Sequence, residues 1–240
     1  MTGTDAPSGG LDDATRARMA LALDVDDLVV AMRLARGLRP YFGVAKVGLE
    51  LYSAVGPDVI GALLNLGYEV FLDLKLHDIP TTVGKSSQVL GALGVSFLTL
   101  HAHGGVSMLR AGVEGLGDGA RNAGLENDPM ALAITVLTSD ADAPPHIVPK
   151  RVRIAAEAGC GGIVCASGDL KDIREFAPRL TRVVPGIRAE GAPKHDQPRA
   201  ATPQEAFDAG ADILVVGRAV TTADDPPAAA AELFAGVEPK

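Results

Sequence analysis

Eight short apolar runs recur along the chain, each followed by a longer amphipathic or alanine-rich stretch. The runs are RMALALDV (18–25), FGVAKVGL (42–49), EVFLDLKL (69–76), SFLTLHAH (96–103), MALAITVL (130–137), GGIVCAS (161–167), RVVPGI (182–187) and ILVVGR (213–218). Helix-like segments lie between and after them, over 27–38, 56–66, 83–93, 105–122, 148–158, 169–177, 202–209 and 225–236. Gly67, Gly94, Gly124, Gly159 and Gly210 fall where such helices should stop. A chain leaving a helix often turns left-handed, and glycine does so without a Cβ penalty. A strand–helix pair repeated eight times is the pattern of a (β/α)8 TIM barrel of parallel strands. A doubly wound open sheet is the alternative, but no G-x-G-x-x-G follows the first strand. The expectation is one barrel domain over 16–240 behind a disordered tail over 1–15.

Composition narrows the class of partner. The 240 residues carry a formal charge of −8 with no basic run, which argues against nucleic acid or an anionic membrane surface. An anionic small molecule would need locally placed positive charge. Tryptophan is absent and aromatics are 4%, too few for base-stacking platforms. No run approaches the ~18 apolar residues that a membrane span requires. The opening MTGTDAPSGG has neither a basic start nor an apolar core, so it does not read as a secretory signal. Cys160 and Cys165 sit among small and apolar residues and read as reduced packing groups of a cytoplasmic protein.

In a barrel of this kind the site forms at the carboxyl ends of the strands. Those ends carry Asp24, Lys46, Asp73 with Lys75, His101 with His103, Thr138 with Ser139, Pro185 to Arg188, and Gly217 with Arg218. Polar residues gather at this end and thin out at the other, which is what an enzyme's barrel should show.

The third run is the most demanding: FLDLKLHDIPTT (71–82) places Asp73, Lys75 and Asp78 in an otherwise apolar segment. Charge in a buried strand is costly unless it is paired or used. Alternation along a strand puts Asp73 and Lys75 on the barrel-mouth side and Leu72, Leu74 and Leu76 on the helix side. The plain alternatives are a structural ion pair for Asp73–Lys75 and a helix cap for Asp78 ahead of Ile79-Pro80. His77 reads as an ordinary loop histidine. A lysine that forms a Schiff base must be partly neutral, whereas carboxylates beside Lys75 favour its ammonium form. A held ammonium stabilises a developing carbanion and can then protonate it. Two carboxylates can also hold magnesium, but a lysine between them is a poor neighbour for a divalent cation.

The loops after strands seven and eight of such barrels often hold phosphate. Here they read PGIRAEGAPKHDQPRAATP (185–203) and VVGRAVTTADDP (215–226). Gly217 allows close backbone approach, and Arg218 and Arg188 supply fixed positive charge, with Gln197 inside the longer loop.

FLDLKLHDIPTTV, with ALALD at the first strand, AKVGLEL at the second, PGIR…Q at the seventh and VVGRAVT at the eighth, resembles the orotidine 5′-phosphate decarboxylases. The resemblance runs from about residue 18 to residue 230. It implies conversion of orotidine 5′-monophosphate (OMP) to UMP with loss of CO₂, the last step of pyrimidine nucleotide synthesis, without metal or organic cofactor. It implies Lys75 as proton donor to C6 and Asp73 beside the substrate carboxylate. Lys46 and Asp78 then complete an alternating Lys–Asp–Lys–Asp network. It further implies a homodimer in which Asp78 and Thr82 reach into the neighbouring subunit's site. Asp24 should bond the ribose, Thr138 or Ser139 the pyrimidine, and Arg188, Gln197, Gly217 and Arg218 the phosphate, with Pro185 also in the substrate-binding set.

Three other functions fit parts of this pattern. A metal-dependent decarboxylase or aldolase acting on an acyclic sugar phosphate would want an acidic ligand where Lys46 stands. A Schiff-base aldolase is disfavoured by the carboxylates around Lys75. A non-catalytic nucleotide-binding barrel is disfavoured by the intact set of Lys46, Asp73, Lys75 and Asp78.

Overall fold

A computed structural model describes residues 10–126, 128–137, 140, 143–144, 146–191 and 201–239. Eight parallel strands close into a barrel in chain order, with the first pairing the last. They are β1 (Met19–Ala22), β2 (Val44–Gly48), β3 (Glu69–Leu76), β4 (Phe97–His101), β5 (Met130–Ile134), β6 (Gly162–Val164), β7 (Thr181–Pro185) and β8 (Ile213–Val216). The helices are α1 (Asp13–Arg16), α2 (Leu28–Leu38), α3 (Leu49–Val55), α4 (Asp58–Leu64), α5 (Pro80–Gly91) and α6 (Gly105–Asn122), then α7 (Ile147–Ala158), α8 (Leu170–Phe176), α9 (Pro203–Ala209), α10 (Arg218–Thr221) and α11 (Pro226–Leu233). The expected barrel is therefore the observed one, and all five glycines expected to end helices have positive φ, from 70° to 103°.

Three local expectations need correction. The second run, expected to continue to residue 49, ends at Gly48 and leads directly into an unanticipated helix, α3, which Gly56 (φ 74°) and Pro57 separate from α4, the helix expected within 56–66. α5 begins at Pro80 rather than 83, since proline's fixed φ suits a first helical turn and its missing N–H costs nothing there. The expected tail over 1–15 is too long. Asp12 accepts from the Thr15 amide at 3.0 Å, Leu11 donates to Pro40 O at 3.1 Å, and Thr15 is buried, so the chain is already packed before residue 16.

Strand alternation builds two separate cores. Ala20, Ala22, Val44, Phe71, Phe97, Leu132, Val183, Ile213 and Val215 fill the barrel interior. Leu21, Val47, Leu72, Leu98, Leu100, Val184 and Leu214 face outward under the helices. Burying each such leucine contributes about 2 kcal/mol of transfer free energy. Cys160 and Cys165 are free and buried, and burial raises both thiols, Cys160 to about 12. Among the described residues no helix is long and apolar enough to cross a membrane.

The amino end of the barrel is more polar than expected. Arg182 grips Asp212 through Nε and Nη2 at 2.8 and 3.0 Å, and Arg18 donates to the carbonyls of Asp212 and Ala211 at 2.9 Å while lying over the Phe207 ring. These groups tie β1, β7 and β8 together and answer one another, so polarity at this end is structural.

Helices α5 and α6 approach closely because glycines face across them. A Cβ on Gly115 would lie 2.1 Å from Gly84 O, one on Gly119 2.0 Å from Gln88 O, and one on Gly91 2.2 Å from Leu116 O. Gly61, inside α4, is different, since nothing lies within 4 Å of its Cβ position. Overpacking typically costs about 1–3 kcal/mol, while an unopposed glycine inside a helix gives up roughly 0.5–1 kcal/mol relative to alanine. Thermal melts should therefore show Gly115→Ala falling in Tm by roughly 2–12 °C, and Gly61→Ala rising. Equal shifts in the two variants would mean that the helix–helix contact is not set by glycine.

Candidate active site

A cavity of about 590 Å³ opens at the carboxyl ends of the strands. Asp24, Lys46, Asp73, Lys75, Pro185, Arg188, Gly217 and Arg218 all line it, so eight of the residues singled out from sequence come together in one chain. Thr138, Ser139 and Gln197 lie outside the described residues.

The charged side chains form a continuous series. Asp24 Oδ1 lies 2.9 Å from Lys46 Nζ, Lys46 Nζ lies 3.8 Å from Asp73 Oδ2, and Asp73 Oδ2 lies 2.8 Å from Lys75 Nζ. Lys46 arrives from β2 two residues above Val44 of the barrel floor, and Asp73 from β3 two residues above Phe71, so both continue the interior-facing rows. The side chains of Lys46 and Asp73 are 10% and 14% exposed, whereas that of Lys75 is 33% exposed. Of the two lysines that line the cavity, Lys75 is thus the more exposed and Lys46 the more deeply buried. Gly48 makes room for the series, since a Cβ there would sit 3.2 Å from Lys46 Nζ and 3.3 Å from Asp24 Oδ1.

Lys75 shares a face with Asp73 as alternation requires, but the strand that carries it there is not regular. The pairing of β3 with β4 slips between Leu72 and Leu76, where two extra β3 residues face the same length of β4. Lys75 has φ +52°, the single positive value for a non-glycine residue among those described. A left-handed backbone costs a side-chain-bearing residue roughly 1–2 kcal/mol. The bulge brings Lys75 Nζ to Asp73 while Leu72, Leu74 and Leu76 still pack on the outer core, as expected for them.

Sequence reasoning missed Thr99, in the apolar run FLTLH. It is fully buried, donates from Oγ1 to Asp73 Oδ1 at 2.9 Å and accepts the Lys75 amide at 2.8 Å. Its only signal in the sequence is a hydroxyl two residues beyond Phe97 on an inward-facing row. The apolar wall of Ile134, Val136, Leu137 and Val164 was also unassigned.

Asp78 and Thr82 are exposed and do not line the cavity of their own chain. The cap alternative for Asp78 is not met either: α5 has Ile79 as its N-cap, and Asp78 Oδ1 accepts only the adjacent Ile79 amide at 2.6 Å. Within one chain the alternating series is therefore Asp24–Lys46–Asp73–Lys75, without Asp78.

At the far side of the cavity, Arg188 is 7% exposed, and its amide donates to Ala201 O at 3.0 Å. A bridge between Ile187 and Ala201 ties the two ends of the intervening loop together. A Cβ on Gly217 would stand 3.3 Å from that of Ala22, so this backbone approaches β1 as only glycine comfortably can. His101 ends β4, with its Nδ1 accepting the His103 amide at 3.2 Å. Burial, reinforced by Arg151 and other nearby cations including Lys75, lowers its pKa to about 4, so it is neutral at pH 7 and adds no charge beside the cavity.

Fold and site together define a (β/α)8-barrel enzyme that places an ammonium and a carboxylate at the barrel mouth. Residues 17–233 match the family model described as the orotidine 5'-phosphate decarboxylase / HUMPS family, and the chain belongs to that family. It is 45% identical over 231 residues to an orotidine 5'-phosphate decarboxylase of Anaeromyxobacter sp. (strain K), covering 92% of this chain and 98% of that relative. The Thermobifida fusca protein of the same name is 41% identical over 234 residues, covering 92% and 96%. Among solved structures, the orotidine 5'-phosphate decarboxylase of Lactobacillus acidophilus superposes with a TM-score of 0.76 at 33% identity, covering 91% of this chain and 98% of that one.

Proposed function

We propose that this chain converts OMP to UMP and CO₂ in the cytoplasm, with the catalytic residues drawn from the charged series at the barrel mouth. The observation that carries the reading is that one cavity holds the Asp73–Lys75 pair and, across from it, Arg188, Gly217 and Arg218. The product end of the reaction sets the requirement. When the bond between C6 and the carboxylate breaks, its electron pair stays on C6 as an sp² carbanion with little delocalisation. Stabilisation must then come from a positive group fixed beforehand at that carbon. Lys75 supplies this charge and passes a proton to C6, giving UMP, and solvent later restores the ammonium. Asp73 in this reading stands beside the substrate carboxylate, and its 2.8 Å contact keeps Lys75 in place. Asp24 takes the ribose, while Arg188, Arg218, Gln197 and the Gly217 backbone take the phosphate. Thr138 or Ser139 meets the pyrimidine, against a wall that includes Pro185. Binding energy from the phosphate can thus be used at a distant carbon.

A metal-dependent sugar-phosphate decarboxylase or aldolase is the nearest alternative. The Lys46 ammonium, 2.9 Å from Asp24 and 3.8 Å from Asp73, occupies the space between carboxylates that a divalent cation would need. Loss of OMP absorbance in the presence of purified protein is the direct test. Turnover should be unchanged by EDTA, and a loss restored by magnesium would overturn the assignment.

The working unit in this reading is a homodimer. Asp78 and Thr82 are exposed, and Leu49 and Ile79, which follow the neighbouring strands β2 and β3 at the same end of the barrel, are 57% and 65% exposed. An apolar rim of this kind suits burial against a second copy, with Asp78 and Thr82 carried into its site. The inactive variants Lys75→Ala and Asp78→Ala should then complement each other when subunits exchange. Each mixed dimer has one site with both defects and one with neither. Random exchange of equal amounts should return about a quarter of wild-type activity. Verified exchange with no recovered activity would place Asp78 outside the neighbouring site.

A further inference from the structure

We propose that Thr99 is a positioning residue for the decarboxylation, acting through both Asp73 and Lys75. The inference rests on the decarboxylase reading, but its geometry is independent of it. The β3 bulge takes the Lys75 amide out of register with β4 and so deprives it of a regular ladder partner. A buried amide without a partner is strongly disfavoured. Thr99 Oγ1 accepts that amide at 2.8 Å, which is what allows Lys75 to hold φ +52°.

The same oxygen donates its single proton to Asp73 Oδ1 at 2.9 Å, while Asp73 Oδ2 receives Lys75 Nζ at 2.8 Å. One hydroxyl thus fixes the backbone of the proposed proton donor and the carboxylate that orients its side chain, closing a ring through Asp73, Lys75 and Thr99. Threonine is suited to this. Its β-branch stiffens χ1, and the side chain is fully buried between interior-facing rows, so Oγ1 has little freedom to turn away. Serine could make both bonds with looser packing. Valine has the same shape and can make neither.

Thr99 does not line the cavity, so its effect should fall on turnover rather than on affinity. With OMP as substrate, Thr99→Val should lower kcat by roughly tenfold to a hundredfold, as expected when reacting groups shift by an ångström or less. Its Kd for UMP should stay within about threefold of wild type, and Thr99→Ser should recover most of the lost kcat. An unchanged kcat in folded Thr99→Val, or equal losses in the serine and valine variants, would overturn the proposal. Amide hydrogen exchange on the wild-type protein provides a test that needs no variant to fold and no substrate. The Lys75 amide should be strongly protected, and fast exchange there would remove the bridge. A wild-type chain that leaves OMP intact but protects Lys75 would refute the decarboxylase reading while leaving the Thr99 bridge standing.

Discussion

The Asp73 carboxylate is the point on which the site depends. It accepts from Lys75 Nζ and Thr99 Oγ1 and lies within 4 Å of Lys46 Nζ, in a position that is 14% exposed. A carboxylate withdrawn from water needs such partners, since the cost of losing hydration amounts to several kcal/mol per ion even in real proteins. Replacing the buried members of the series, Lys46 and Asp73, by apolar side chains would often be no less stable. Its presence is therefore better explained by chemistry than by folding. The charges alternate from Asp24 through Lys46 and Asp73 to Lys75, so none of the four faces only its own sign.

The barrel supplies the rigid frame for this series. Its inward rows begin as an apolar floor, with Val44, Phe71 and Phe97 packed near the centre and the last two rings in edge contact at 6.0 Å. One step further along the same rows the residues become Lys46, Asp73 and Thr99. Floor and site are thus consecutive layers of one construction, and the side chains above inherit the rigidity of those below. The bulge in β3 is the departure from regular strand geometry that turns Lys75 toward Asp73. Strain of this sort persists where the surroundings over-determine it, and here the Thr99 hydroxyl does so.

Much of this was legible in the sequence. Alternating apolar runs and helix-ending glycines dictate the barrel, because strand pairing and helix termination are local demands on residue type. Asp24, Lys46, Asp73, Arg188, Gly217 and Arg218 were legible as site residues because each stands at a strand's carboxyl end. The route of Lys75 to the site was not, since a left-handed lysine looks in the sequence like the next residue of a regular strand. Thr99 was missed because a single hydroxyl in FLTLH carries no charge, and its function follows from what the bulge places beside it. The amino-end links were hidden for a related reason: the Arg182–Asp212 pair joins strands β7 and β8 across 30 residues, and Arg18 reaches the carbonyls of Ala211 and Asp212 only when β1 closes on β8. Asp78 could be noticed but not located, because a single chain does not bring it to its own cavity.

The central claim is that Lys75 acts on the reacting carbon while other residues hold the nucleotide. The most direct test is to compare steady-state turnover of OMP with equilibrium binding of UMP in Lys75→Ala. Loss of a general acid that also stabilises the carbanion should lower kcat by at least about a hundredfold. UMP affinity should change by no more than about threefold, because the phosphate and ribose contacts lie on other strands. A near-normal kcat in this variant would contradict the account.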